Sequence, residues 1–334
     1  MPVGDPSVVA ILGASAADPP PGLEQAIPGC DLRFAETSDQ LKATADAEVA
    51  YIWPPRTDWL PDHWGWSPRL RWIATSTVGV DWLLFPELVS SDVILTNSAG
   101  LFDGAMAEYA LALVAAVRAD LHTTLRLQQG REWVHREIRR LAGSQVIVAG
   151  VGGIGRAIAG LLSRAGASVT SVGRSGRTDP ELGRVAPVTD LGLLLPTADF
   201  VILALPLTPA TAGLIGPAEL ARMGRDSWLI NLGRGGLVDE QALISALGDG
   251  VIGGAALDVF TREPLPAASP LWTLPNVIVS PHMSADFRGW EQALVDLFLR
   301  QLASYLAGQP LANVVDKQLG FVTAGPQPAQ RPLG

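Results

Sequence analysis

The chain has 334 residues, enough for about two domains of ordinary size. Apolar residues make up 48% and charged residues 17%, which excludes a disordered chain, and 24 basic against 33 acidic side chains leave a net charge of −9. Such a surface repels phosphate backbones and anionic lipid, so neither nucleic acid nor a membrane is expected as a partner.

The N-terminal stretch MPVGDPSVVAILGAS lacks the basic region and long apolar core of a secretory signal. The single cysteine, Cys30, excludes an internal disulfide framework, reads as a small buried thiol and suits a reducing, cytoplasmic setting. The runs VVAILG (8–13), VAYIW (49–53), LRWIAT (70–75) and VILTN (93–97) are continuously apolar, the pattern of strands buried on both faces of a parallel sheet. Six of the ten tryptophans fall between Trp53 and Trp82, and most read as packing. Trp53 differs, because it ends a strand before Pro54 and Pro55, at a carboxyl edge where α/β proteins bind ligands. From Phe102 to Gly130 no proline occurs, which predicts one long helix connecting two domains. Its apolar run YALALVAAV (109–117) is far shorter than the roughly 20 residues that a bilayer requires.

A second series starts at QVIVAG (145–150) and continues through ASVTSV (167–172), DFVILAL (199–205), SWLINL (227–232), VIGGAALDV (251–259) and NVIVSP (276–281). Strand followed by helix, repeated six times, predicts a doubly wound α/β domain. A last helix is predicted over 288–307, with Leu294, Leu297, Phe298 and Leu302 on one face. The end, TAGPQPAQRPLG (323–334), has little to bury and reads as a disordered tail.

The first strand of this second series runs into Gly150-Val151-Gly152-Gly153-Ile154-Gly155 and then a helix, the context that a GxGxxG dinucleotide loop requires. Gly150 permits the tight turn, Gly152 lets backbone approach a pyrophosphate, and Gly155 lets helix and strand pack closely. The amide groups of Gly153 and Ile154 open the helix, whose positive end faces the phosphates. In NAD-binding chains an acidic residue ends the next strand and holds the ribose hydroxyls. Here Gly173 takes that place, followed by Arg174, Ser175 and Arg177. Guanidinium groups and a hydroxyl are suited to a 2′-phosphate, so NADP is expected, with NAD as the alternative.

Three further loops follow strands: NLGRGGLVDE (231–240) carries Arg234, ALDVFTREPL (256–265) carries Asp258 and Glu263, and SPHMS (280–284) carries His282. At carboxyl ends of strands in one sheet they are able to converge beside a bound dinucleotide. Only four histidines occur in the chain, and His282 alone ends a strand of this domain. A histidine, an arginine and a glutamate at successive strand ends beside a dinucleotide loop read as a catalytic constellation rather than as a lone structural histidine. No metal is expected. A non-enzymatic NADP(H)-responsive binding protein on the same fold is the alternative from another class, and a phosphonate or formate dehydrogenase the alternative within the enzymes.

These motifs, with STVGVD (76–81), AEYALALVAAV (107–117) and ALPLTPATAGLI (204–215), make nearly the whole chain similar to the D-2-hydroxyacid dehydrogenase family. YIWPP (51–55) and the arginines after Gly173 most resemble its glyoxylate/hydroxypyruvate reductase branch. The resemblance implies two doubly wound parallel-sheet domains: a Rossmann dinucleotide-binding domain (101–286) inserted into a flavodoxin-like substrate domain (1–100 and 287–322). It implies a homodimer, a small 2-oxoacid or D-2-hydroxyacid substrate, and catalytic roles for Arg234, Glu263 and His282. In those roles, as hydride arrives at the carbonyl carbon, Arg234 would stabilise the charge on oxygen and hold the carboxylate. His282 would deliver the proton, with Glu263 favouring its charged form. It further implies cofactor contacts from Leu205, Pro206, Thr211, Leu232 and Asp258, the last at the nicotinamide end. The substrate carboxylate would be received by the backbone of Val78 and Gly79. Met106 stands where several members carry a small residue or threonine, and Trp53, Met106 and Trp290 are candidates for the substrate pocket.

Overall fold

A computed structural model describes residues 7–23, 27–53 and 57–323. The chain divides into two compact units, Met1–Leu101 with Arg288–Gly334, and Phe102–Phe287. Pro54, Pro55 and the tail from 324 onward lie outside the described residues.

The first unit holds five parallel strands: β1 (Ser7–Leu12), β2 (Cys30–Ala35), β3 (Val49–Ile52), β4 (Trp72–Thr75) and β5 (Ile94–Thr96). Their order is β2-β1-β3-β4-β5, the flavodoxin-like arrangement, with the winding direction reversing between β1 and β3. The apolar runs became strands because both faces are covered: Ile11, Leu12, Ile52 and Ile73 are fully buried. β2 escapes the apolar-run pattern, since CDLRFA is an edge strand and only half-buried. A short helix, α1 (Pro86–Ser90), precedes β5. The helix Trp290–Leu306 packs here, with Leu294, Phe298 and Leu302 buried, Leu297 half-buried, and Phe298 stacked on Tyr51 at 4.1 Å.

The second unit begins with a departure from the single long helix. α2 (Asp103–Arg118) buries Met106, Ala107, Ala110, Leu113 and Val114 on one stripe and packs against the helix Gly153–Arg164. At Asp120 the backbone turns left-handed (φ 52°), and α3 (Leu121–Gly130) follows with no buried residue. The break falls where burial stops. Arg118 turns inward to Ser144 Oγ (2.8 Å) and Asp199 (2.7 Å), over the Phe200 ring, while the Asp120 carboxylate is held by Arg136 Nε at 2.7 Å. Asp is among the few residues that tolerate this conformation.

The sheet of this unit runs β13 (Val277–Val279), β12 (Gly254–Leu257), β11 (Trp228–Asn231), β10 (Phe200–Leu203), β6 (Gln145–Ala149), β7 (Ser168–Gly173), β9 (Gly183–Pro187) and β8 (Arg177–Asp179). All neighbours are parallel except β8, which pairs antiparallel with β9. The crossovers are α4 (Gly153–Arg164), the short α5 (Leu191–Leu194) and α6 (Pro217–Leu220), and α7 (Glu240–Gly248). Strict alternation of strand and helix therefore fails twice. A hairpin, not a helix, leads from β7 into β9. Between β12 and β13, rich in prolines, only a 3₁₀ turn (Pro270–Trp272) forms. No helix among the described residues is long and apolar enough to cross a membrane.

Candidate active site

The glycine loop behaves as its spacing requires. Gly150 has φ 125°, and a Cβ there would overlap the Ala204 carbonyl oxygen. A Cβ on Gly155 would overlap the Gly150 carbonyl, so helix and strand meet with no room between them. A side chain on Gly153 would strike the Asp103 carboxylate. Gly152 alone faces open space, with nothing within 4 Å of its Cβ position. Gly150 and Gly155 are thus required by the fold, and Gly152 keeps clear the ground where a pyrophosphate would lie. Together with the amino end of α4, of which Ile154 is the second residue, this geometry fits a dinucleotide.

Gly173 is the last residue of β7 and is buried, whereas Arg174, Ser175 and Arg177 are exposed. Arg177 is not in a loop; it starts β8, and its Nη1 lies 3.2 Å from where a Gly173 Cβ would stand. A cation therefore occupies the place of the ribose-binding carboxylate. Leu205 and Pro206 follow β10, and Thr211 organises their loop by donating to the Pro206 carbonyl (2.7 Å) and accepting from Thr208 N (2.9 Å). Leu232 is buried immediately after β11 and donates its N–H to the Leu203 carbonyl.

β11, β12 and β13 are neighbours, so the loops bearing Arg234, Glu263 and His282 leave the same edge side by side. Arg234 is half-buried; its carbonyl accepts from Asn231 Nδ2 (2.9 Å) and its Nη1 donates to the Gly233 carbonyl (2.9 Å). The next residue, Gly235, is pressed so closely on Phe260 that any Cβ would overlap it, which seats the Arg234 loop on the Glu263 loop. Glu263 Oε1 accepts from Phe260 N at 2.9 Å, and Oε2 meets His282 Nδ1 at 2.7 Å. That bond fixes the ring and leaves Nε2 as its working atom.

His282 is one of the few non-glycine residues with positive φ (52°), a strained conformation. Asp258 holds it there. The Asp258 carboxylate, 1% exposed, accepts from Ser280 Oγ (2.7 Å), Met283 N (3.0 Å) and Ser284 N (3.0 Å), on both sides of the histidine. Expected at the nicotinamide end, Asp258 thus has both oxygens engaged in shaping the His282 loop.

In the first unit, Trp53 donates its N–H to the Leu12 carbonyl, beside the reversal of strand order. Its ring is buried, 5.9 Å from Tyr51. The Val78 carbonyl accepts from Asn97 Nδ2 (2.7 Å) and the Gly79 carbonyl from Thr77 Oγ1 (2.9 Å), pinning the turn through its acceptors. Met106 lies buried on α2, and Trp290 opens its helix half-buried.

A family model described as "D-isomer specific 2-hydroxyacid dehydrogenase, NAD binding domain" matches residues 111–284. A glyoxylate reductase of Thermofilum pendens is 33% identical over 262 residues, covering 76% of this chain and 77% of that one. The chain belongs to the D-isomer-specific 2-hydroxyacid dehydrogenase family. It is an NAD(P)-dependent oxidoreductase on the α/β fold of that family. A D-isomer-specific 2-hydroxyacid dehydrogenase of Xanthobacter autotrophicus, in complex with NADPH and MES, is 31% identical with TM-score 0.80, over 95% of this chain and 100% of that one. An NADPH-dependent glyoxylate/hydroxypyruvate reductase of Sinorhizobium meliloti, in complex with NADP and sulfate, is 29% identical with TM-score 0.82, over 94% and 100%. Sequence reading missed the β8–β9 hairpin of this dehydrogenase and the residues that anchor it, Arg156 and Asp179. DPELG (179–183) was the available signal: a turn-forming Asp-Pro followed by a glycine that adopts φ 67°.

Proposed function

We propose that this dehydrogenase reduces a small, unbranched 2-oxoacid, glyoxylate or hydroxypyruvate, with NADPH, and yields the D-hydroxyacid where a stereocentre forms. The observation that carries this reading is the His282–Glu263 pair at 2.7 Å, one strand from Arg234 and on the same sheet as a phosphate loop that lacks the ribose-binding acid. Bound at that loop, NADPH supplies the hydride to the substrate carbon. Arg234 holds the carboxylate and stabilises the negative charge that develops on the carbonyl oxygen. His282 delivers a proton from Nε2 to that oxygen, and Glu263 keeps the opposite ring nitrogen occupied. Arg174, Ser175 and Arg177 take the 2′-phosphate; Leu205, Pro206, Thr211 and Leu232 line the cofactor. The Val78–Gly79 turn, whose carbonyls are already used, offers its N–H groups to a carboxylate.

An initial-rate panel of small 2-oxoacids with NADPH and NADH, with chiral analysis of the product from hydroxypyruvate, tests the reading. NADPH-linked formation of the D product supports it. An L product overturns the stereochemistry, and equal kcat/KM with both cofactors overturns the nucleotide preference.

We also infer a cytoplasmic homodimer. Leu121, Leu125, Trp133, Val134 and Ile138 are exposed along α3 and the extended segment after it, with Trp133 fully so. So much apolar surface on an α3 that buries nothing suits a second copy of the chain. Light scattering should give twice the chain mass, and Trp133→Glu should shift it toward monomer.

A further inference from the structure

Arg156 stands directly after Gly155, in the first turns of α4. Its guanidinium grips Asp179 with two prongs, Nη1 to Oδ1 (2.7 Å) and Nη2 to Oδ2 (2.5 Å), and Nη1 also reaches Glu181 at 3.1 Å. Asp179 is the last residue of β8 and is buried. Its Oδ1 accepts from Glu181 N (3.1 Å) and Leu182 N (3.2 Å), closing the hairpin turn. The Arg156 pairing and these amides hold its carboxyl well below the ordinary carboxylate range. Arg177, two residues earlier on the same strand and so on the same face, has Nη2 3.7 Å from Asp179 Oδ2. That separation attracts the guanidinium without consuming its N–H donors.

β8 needs such a tether. It is three residues long and pairs only with β9, and an isolated ladder of that size has little stability of its own. We propose that Arg156 and Asp179 are positioning residues for nucleotide selection. Their ion pair ties the hairpin to the phosphate-loop helix and holds Arg177 over Gly173, preformed for the adenosine 2′-phosphate. The proposal rests on the reading that NADP binds along this edge. The loop that cradles the pyrophosphate and the strand that reads the extra phosphate are thereby one mechanical unit, joined by the Asp179 carboxylate with Glu181 beside it.

Calorimetric binding of adenosine 2′,5′-bisphosphate and of 5′-AMP to the full chain tests this without turnover. The unmodified protein should prefer the bisphosphate; equal affinities would overturn the cofactor reading and the proposal with it. Arg156→Lys keeps the charge but loses the fork, and Asp179→Asn keeps the shape but loses the charge. Both should raise the bisphosphate Kd about tenfold, the size of one charge-assisted bond, and leave 5′-AMP within about twofold. An electrostatic field alone predicts otherwise: no change for Arg156→Lys and tighter binding for Asp179→Asn. Either of those results, or equal weakening of both ligands, overturns the positioning role while the cofactor reading stands. Thermal melts of both variants check folding, and Arg156→Lys decides alone if Asp179→Asn does not fold.

Discussion

Two parts of one sheet edge in the second unit are held in place by different physics. At the β11–β13 end, Asp258 and Glu263 are fastened by backbone N–H groups, from Met283, Ser284 and Phe260, and Asp258 is buried although Glu263 and His282 are exposed. At the β7–β8 end, exposed Arg177 is arranged by charge, through Asp179 and Arg156. In the proposed reaction the difference follows the task. Proton transfer tolerates little displacement, so its groups are tied to the rigid backbone. Choice of nucleotide depends on the sign and placement of surface charge, which substitutions alter without disturbing the core.

The largest expected effect breaks the chemistry and spares the charged end. His282→Ala should lower kcat by about 10²- to 10⁴-fold, while NADPH binding, followed by fluorescence titration, stays within about twofold. Loss of NADPH binding would mean that the two ends are not separate. Next in size is Asp258→Ala, which strips the acceptor from Ser280 Oγ and from two amides beside His282. Leaving such buried donors unpaired costs about 1–3 kcal/mol each, so the melting temperature should fall by several degrees and kcat should fall with it. An unchanged melting temperature would mean that water satisfies these groups and that the loop needs no clamp. Arg174→Ala should lower the NADPH-over-NADH ratio of kcat/KM about tenfold with no change in melting temperature, the mirror image of Asp258→Ala.

The smallest effect lies at the other end of β11, as a control. The His122 ring packs on Trp228 at 5.0 Å, with Asp120 Oδ1 3.5 Å from its Nε2 and the cations Arg126 and Arg136 nearby. Burial outweighs the favourable Asp120 charge and pushes its pKa below 6.5. As pH falls through about 6.5 the unfolded chain binds the proton first, so stability is full above that value. It declines toward the folded pKa and levels off below it. Urea midpoints at pH 7.5 and 5.5 should differ for the unmodified protein and differ less for His122→Phe. The NADPH preference should be the same in both proteins.

Much of this was written in local pattern. The continuous apolar runs gave both parallel sheets, because strands covered on both faces need no polar alternation. The Gly150–Gly155 spacing and the absent acid at Gly173 were readable because each depends on one or two backbone positions. The half-buried edge strand β2 and the three-residue β8 left no apolar run to detect. The break at Asp120 was hidden because helix formers stand on either side of it, Ala and Leu before it and Leu, Arg and Gln after it.

Sequence alone determined which groups stand at the ends of which strands: Arg234, Asp258, Glu263 and His282 beyond β11 to β13, and two arginines and a serine beyond β7. A strand's carboxyl end is set by where its apolar run stops, which is a local property. Only tertiary structure decided what those groups do to one another. Glu263 meets His282 across 19 positions of chain, Asp258 is spent on the loop that strains His282, and Asp179 links Arg156 to Arg177. Such pairings depend on sheet order and on which buried charge finds a partner, and a buried carboxylate takes whatever donors the fold brings within about 3 Å.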